Sequence, residues 1–204
     1  MILFETISKT INALEIAEIS EDRKAILNPL IDFIKDKIAT NSPIRLNFIC
    51  THNSRRSHLS QIWAQTMASY YNINNVSCYS GGTEATAMFP KVGETLSNQG
   101  FKILKLSENN NPVYAIKFAE NEPSVIAFSK AFSHAFNPAS GFAAIMTCSS
   151  ADEACPAVFG CDKRIAVTYE DPKKSDGTPL QTETYFNRSL EIATEMKFVF
   201  SSLG

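Results

Sequence analysis

Strands and helices that alternate from about residue 43 onward predict an α/β protein. The expected architecture is a parallel twisted sheet with helices on both faces, preceded by a helical extension and interrupted by a β-hairpin insert. Three observations carry this expectation. Apolar runs at 46–49, 76–79 and 143–147, with a further one near 165–168, read as buried strands. Segments at 57–70, 90–98 and 182–200 have helical periodicity, the first of them amphipathic. The first strand runs into the first of these helices through a turn of small polar residues, and in such sheets ligands sit at the carboxyl ends of strands.

Residues 1–42 read as helices. Ile7, Ile11 and Leu14 fall on one face, and Ser20 with Glu21 and Asp22 reads as an N-cap and acidic first turn. Asn28-Pro29 reads as a second helix start, with proline at its first position, followed by an apolar stripe of Leu30, Ile31, Ile34 and Ile38. Asn41-Ser42-Pro43 ends the pattern. We read 1–42 as an extension that packs on the main domain, 43–204, or on a second copy of the chain in a homodimer. Nothing in it but surface charge suits chemistry.

Composition narrows the function classes. With 44% hydrophobic and 20% charged residues in 204, the chain has the makings of an ordinary globular core. A net charge of −2 leaves no electrostatic footprint for nucleic acid. No apolar run approaches the ~18 residues that span a bilayer. The N-terminus carries Glu5 and lacks a basic start followed by an apolar block, so the cytoplasm is the expected location. Five cysteines, Cys50, Cys78, Cys148, Cys155 and Cys161, form no regular staple framework and are expected as thiols. With three histidines and no Cys-x-x-Cys pair, neither a metal nor another cofactor is expected.

The turn after the first strand reads Cys50-Thr51-His52-Asn53-Ser54-Arg55-Arg56-Ser57. A cysteine here faces a helix N-terminus, where unpaired N–H groups and the helix dipole favour negative charge on sulfur. An arginine six residues on can fold back over the loop and offer a planar fork of donors to a tetrahedral oxyanion. The plain alternative is a small core residue at a strand end. The conjunction of strand, polar turn, Arg56, Ser57 and helix favours a nucleophile built for phosphate or a phosphate look-alike. Downstream, the runs 112–118 and 124–128 flank Glu120-Asn121-Glu122-Pro123, a hairpin signal that either extends the sheet or overhangs the site.

From about Leu46 to its end, the chain resembles the low-molecular-weight protein tyrosine phosphatase superfamily, which includes the thioredoxin-coupled arsenate reductases. The segment 49–64 resembles the opening loop and helix of the reductases, and Tyr79-Ser80-Gly81-Gly82-Thr83-Glu84-Ala85 the second strand and its turn. Thr147-Cys148 through Cys155-Pro156 resembles the redox segment of the reductases, and Glu170-Asp171-Pro172 the general-acid loop. The resemblance implies that Thr51, His52, Asn53, Ser54, Arg55, Arg56 and Ser57 bind substrate, with Asn53 and Ser57 holding the loop and stabilising the thiolate. Asp171, stiffened by Pro172, would act as the acid, although Asp-Pro followed by Lys173-Lys174-Ser175-Asp176-Gly177 also suits a plain turn.

Two chemistries follow from the resemblance. In the first, Cys50 attacks arsenate, Cys148 attacks Cys50 and releases arsenite, and Cys155 attacks Cys148, leaving a disulfide for thioredoxin or a similar dithiol. On a continuous helix, seven residues separate two Cα atoms by ~10.5 Å, beyond the ~7 Å limit for a disulfide, so that last step needs local unwinding. In the second, Cys50, Arg56 and Asp171 hydrolyse a phosphomonoester, with water resolving the intermediate. Phosphatases of the family usually carry aromatic walls after Asp-Pro; Lys173 and Lys174 stand here and favour a small inorganic anion. His52 replaces a usual glycine, Arg55 replaces a frequent cysteine and adds positive charge near the loop, and Ala166-Val167-Thr168-Tyr169 replaces a usual His-Trp-Gly-Phe. A non-catalytic oxyanion-binding or redox-sensing module is the third reading. Cys78 and Cys161 read as structural or incidental.

Overall fold

The computed structural model describes residues 2–155 and 157–204. Pro156, at the end of the segment that resembles the reductases' redox segment, lies outside the described residues. In chain order the elements are α1 (Glu5–Ala13), α2 (Glu21–Ala39), β1 (Ile44–Cys50), α3 (Arg56–Tyr70), β2 (Val76–Gly82), α4 (Pro90–Asn98), β3 (Lys102–Lys105), β4 (Tyr114–Lys117), β5 (Val125–Ala127), β6 (Phe142–Met146), α5 (Ser149–Ala154), β7 (Cys161–Ala166) and α6 (Gln181–Ser201). The expected parallel sheet is present, in the order β2-β1-β6-β7, with Cys50 in register with Gly82. Its last strand begins four residues earlier than the apolar run suggests. Asp162, Lys163 and Arg164 hide this edge strand from a search for continuous hydrophobicity.

Alternation along the strands divides two cores. Leu46, Phe48, Ala143 and Ile145 face a large core shared with α1, α2, α3 and α6. Ile49, Ala144 and Met146 face a smaller one, closed by Ala151 of α5, by Val158 and by Phe132.

Two expectations are corrected. The first concerns Asn28-Pro29, which starts no second helix: α2 is continuous, with Pro29 inside it. Buried Leu27 before the proline and Leu30, Ile31 and Ile34 after it hold both halves to one core, so packing outweighs the missing hydrogen bond. The second concerns α3, which is buried almost all round rather than amphipathic. Some of its polar groups are paired inside the protein: Trp63 Nε1 donates to Ser189 Oγ at 2.9 Å, and Gln61 Nε2 donates to the carbonyls of Cys78 and Ile126 at 3.1 and 3.2 Å. The expected hairpin is present as β4 and β5, which pair with exposed β3 in a separate three-stranded antiparallel sheet rather than extending the main one. Only the chain beyond β5 reaches the main sheet, where Gly82 bonds Lys130 and Phe132 at 2.9 Å each.

The N-terminal helices pack on the chain itself. Ile7, Ile11, Leu27 and Leu30 are fully buried, and Lys197 Nζ donates to the carbonyls of Ile11 and Leu14 at 2.9 and 2.8 Å. Arg23 of α2 forms a two-pronged pair with Glu195 of α6 at 2.6 and 2.9 Å. No described helix is long and apolar enough to cross a membrane.

Candidate active site

The segment 51–55 joins β1 to α3, and its carbonyls point away from the loop centre. Cys50 O accepts from Thr83 N–H at 3.1 Å, Thr51 O from Glu84 N–H at 2.8 Å, and Ser54 O from Phe89 N–H at 3.0 Å. The carbonyl of His52 accepts from Ser129 Oγ at 2.9 Å and Thr86 Oγ1 at 3.1 Å. In a planar trans peptide the N–H points opposite to the C=O. Outward carbonyls therefore turn the N–H groups of Thr51, His52, Asn53 and Arg55 inward. Gly82 allows this close approach, because a Cβ there would lie 2.7 Å from Asn53 N and 2.3 Å from Glu84 O.

Side chains complete the ring. Cys50 Sγ lies 3.1 Å from Ser57 Oγ, in the first turn of α3. Asn53 Nδ2 donates to Ser57 Oγ at 2.9 Å, and its Oδ1 accepts from Lys130 N–H at 2.9 Å. Asn53 is also the loop residue with positive φ, at 44°, a conformation asparagine tolerates. The left-handed position is thus Asn53, so His52 needs no glycine. His52 is half-exposed, its Nδ1 3.2 Å from Glu84 Oε2.

Arg56 reaches across to the segment after β7. Its Nη2 donates to Asp171 Oδ2 at 2.7 Å and its Nη1 to Tyr169 O at 2.9 Å, leaving Nε buried and without a partner among the described residues. An unpaired buried donor of a guanidinium costs free energy until an acceptor arrives, which suits an anion in the loop. Asp171 Oδ1 accepts from Lys173 N–H at 3.0 Å and caps the 3-10 turn Pro172–Ser175, so one carboxylate serves both turn and site. A cavity of about 200 Å³ lies among Cys50, Thr51, His52, Ser54, Arg55, Arg56, Ser150, Asp171 and Lys173. A larger cavity, about 480 Å³, runs between β2 and β5, and Cys50 does not line it.

No family model and no curated protein matches the chain. Among solved structures, a YwlE mutant from Bacillus subtilis is similar over 78% of this chain and 98% of its own, at 15% identity and a TM-score of 0.54. A low-molecular-weight protein tyrosine phosphatase from T. tengcongensis matches over 78% and 99%, at 15% identity and a TM-score of 0.53. An arsenate reductase in the phosphate-binding state matches over 79% and 99%, at 15% identity and a TM-score of 0.50. The chain has the low-molecular-weight phosphatase fold.

Within the low-molecular-weight phosphatase fold, Cys148, Cys155 and Cys161 sit on the face of the smaller core, while Cys78 lies in the large one. Cys148, 1% exposed, follows β6, and its Sγ lies 3.4 Å from Thr51 Oγ1. That sulfur also accepts from Ala151 N–H at 3.3 Å, making Cys148 the N-cap of α5, while Cys155 is the C-cap. The structure therefore brings Cys148 against the loop that carries Cys50 and sets Cys155 at the far end of a short helix. All five cysteines are free.

Two expectations about charge change. Arg55 lines the cavity, but its guanidinium is not a free charge beside the loop: Nη2 donates to Asp176 Oδ2 at 2.6 Å, Nε to Tyr185 Oη at 2.5 Å, and the group lies 4.1 Å over the Phe89 ring. Lys174 likewise pairs with Glu170, leaving Lys173 as the lysine at the cavity. Sequence reasoning missed Ser150 in the lining, Tyr185 as partner of Arg55, and Ser129 and Lys130 as buttresses of the loop. The buttresses lie 77 residues from their partners and carry no local signal.

Proposed function

We propose that this protein is an enzyme, a thiol-dependent arsenate reductase. The observation that carries the reading is the second buried thiol: Cys148 Sγ sits 3.4 Å from Thr51 Oγ1, one residue from Cys50 in the oxyanion loop. A phosphatase needs only water at that point, whereas a reductase needs a sulfur within reach. The cavity supports a compact substrate, since the residues around it include Lys173 and no aromatic wall for a phenyl ring.

In this reading the inward N–H groups and Arg56 Nε hold arsenate. Cys50 attacks arsenic, and Asp171 protonates the departing oxygen, which leaves as water. Cys148 then attacks Cys50 sulfur; the As–S electron pair stays with arsenic, releasing arsenite and forming a Cys50–Cys148 disulfide. Cys155 attacks Cys148 and frees Cys50, and a cytoplasmic dithiol of the thioredoxin class reduces the product. Ser57, fixed by Asn53, stabilises the sulfur at 3.1 Å. Residues 1–42 serve as a packing extension to the phosphatase-like residues 43–204.

The second reading, phosphomonoester hydrolysis, is favoured by the Asp171–Arg56 contact, which poises an acid beside the anion site. One variant separates the two. Cys148→Ser should abolish arsenite release coupled to a dithiol while sparing hydrolysis of p-nitrophenyl phosphate. Arsenate reduction by that variant at the wild-type rate would overturn the reductase reading. Phosphate binding without turnover of either substrate would leave an oxyanion-binding module.

A further inference from the structure

Four of the five cysteines converge on one side of the sheet. Cys50 and Cys148 are buried in the smaller core with Ile49, Ala144 and Met146, and Cys155 and Cys161 pack against that core while remaining partly exposed. Cys78 lies apart in the large core.

The four thiols differ in what separates them. Between Cys148 and Cys155 stands α5, and a bond between these sulfurs must distort that helix and break the cap that Ala151 N–H makes to Cys148 Sγ. Between Cys155 and Cys161 the described residues form no helix or strand. The chain turns at Gly160, whose φ is 81°, and Cys161 N–H reaches back to Val158 O at 3.4 Å. Arg164, three residues into β7 from Cys161, ties the two ends together by donating to the carbonyls of Asp152 and Cys155 at 2.6 and 3.0 Å. The end of α5, with Cys155, is therefore tied to β7, the strand that Cys161 opens, and both thiols pack against the same small core.

We propose that Cys161 is the terminal thiol of the relay, taking the disulfide from Cys148 and presenting it to the external dithiol as Cys155–Cys161. This inference rests on the reductase reading. The step balances as thiol–disulfide exchange. Cys161 gives its proton to water and attacks Cys155 sulfur; the Cys148–Cys155 bond breaks, and Cys148 leaves as thiolate and is reprotonated. No further oxidant is needed, because arsenate has already taken the two electrons. The exchange lets α5 and its cap re-form, and it moves the disulfide from a residue 1% exposed to a pair that solvent reaches.

The test is a single turnover. Fully reduced protein is mixed with one equivalent of arsenate without external reductant, then quenched in acid, alkylated and digested, and its disulfides are mapped by mass spectrometry alongside arsenite. Wild type should release one arsenite and yield mainly the Cys155–Cys161 cross-link. Cys161→Ser should stop at Cys148–Cys155, and its steady-state rate with a small external dithiol should fall roughly tenfold. A wild-type map holding only Cys148–Cys155 would overturn the proposal while leaving the reductase reading intact. Absence of arsenite would instead sink the reductase reading. Titration with oxidised glutathione would then show whether Cys155 and Cys161 pair, and failure to pair would overturn the inference as well.

Discussion

Arg56 and Asp171 face each other across the mouth of the 50–57 loop at 2.7 Å, and among the described residues the same arginine keeps its Nε buried and unpaired. The carboxylate thus occupies part of the fork that an incoming anion would take. Asp171→Asn should cut p-nitrophenyl phosphate hydrolysis by about 10²- to 10⁴-fold, the usual worth of a general acid. Because the variant also removes the competing charge, it should bind inorganic phosphate at least as tightly as wild type. Arg56→Lys should weaken phosphate binding and turnover together. Calorimetric titration with phosphate, beside steady-state kinetics, separates the two outcomes.

Gly82 is pressed against the loop that shapes the site. In Gly82→Ala the new Cβ meets Thr51 O and Asn53 N at 2.7 Å, so the loop must move. A displacement of ~1 Å in a catalytic constellation costs ~10²-fold in rate. We expect kcat/KM to fall by at least that factor, with circular dichroism close to wild type.

The N-terminal helices are tied to the site through charge. Arg23 pairs with Glu195, Tyr169 Oη donates to the same carboxylate at 2.7 Å, and Tyr169 O accepts from Arg56. Glu195 is 3% exposed, so Arg23→Ala strands a buried charge. The expected loss is about 3–5 kcal/mol, or roughly 6–20 °C in thermal midpoint at 2–4 °C per kcal/mol. Arg23→Ala together with Glu195→Gln should recover part of it. A single variant within a degree of wild type would disprove the role assigned to this pair.

His58 gives stability a pH dependence. It is fully buried in α3, and desolvation, with a further contribution from the Lys130 charge, pushes it down to about 3. Below its unfolded value near 6.5 the unfolded chain takes up a proton that the folded chain refuses. Stability should therefore fall as pH drops from 6.5 toward 3, at up to about 1.4 kcal/mol per pH unit from this one group. Lys130, buried between Phe128 and Phe136 and pushed down to about 8 by desolvation, acts in an alkaline window. Between pH 8 and 10.5 the folded protein has lost that proton and the unfolded chain keeps it, so stability should rise there. Urea denaturation across pH, with His58→Gln and Lys130→Met, should flatten the acid and alkaline slopes respectively.

How much of this was legible in the chain follows from how far each signal reaches. The sequence by itself determined the elements whose cues are local: the apolar runs of β1, β2 and β6, the proline that opens α4, and the turn in which Cys50, Asn53, Arg56 and Ser57 lie within eight residues. Periodicity and turn chemistry depend on near neighbours, so they can be read without a fold. Only the tertiary structure decided what the neighbouring arginines do. Arg55 is the N-cap of α3, with φ −130° and ψ −86°, and Arg56 its first helical residue; the first reaches Asp176 and Tyr185 and the second Asp171, partners 115 to 130 residues away. It likewise decided that α2 runs through Pro29, that α3 is enclosed, and that Cys161 joins the other thiols. Each of these depends on which surfaces the packed sheet and helices bring together, and no segment of the chain carries that information alone.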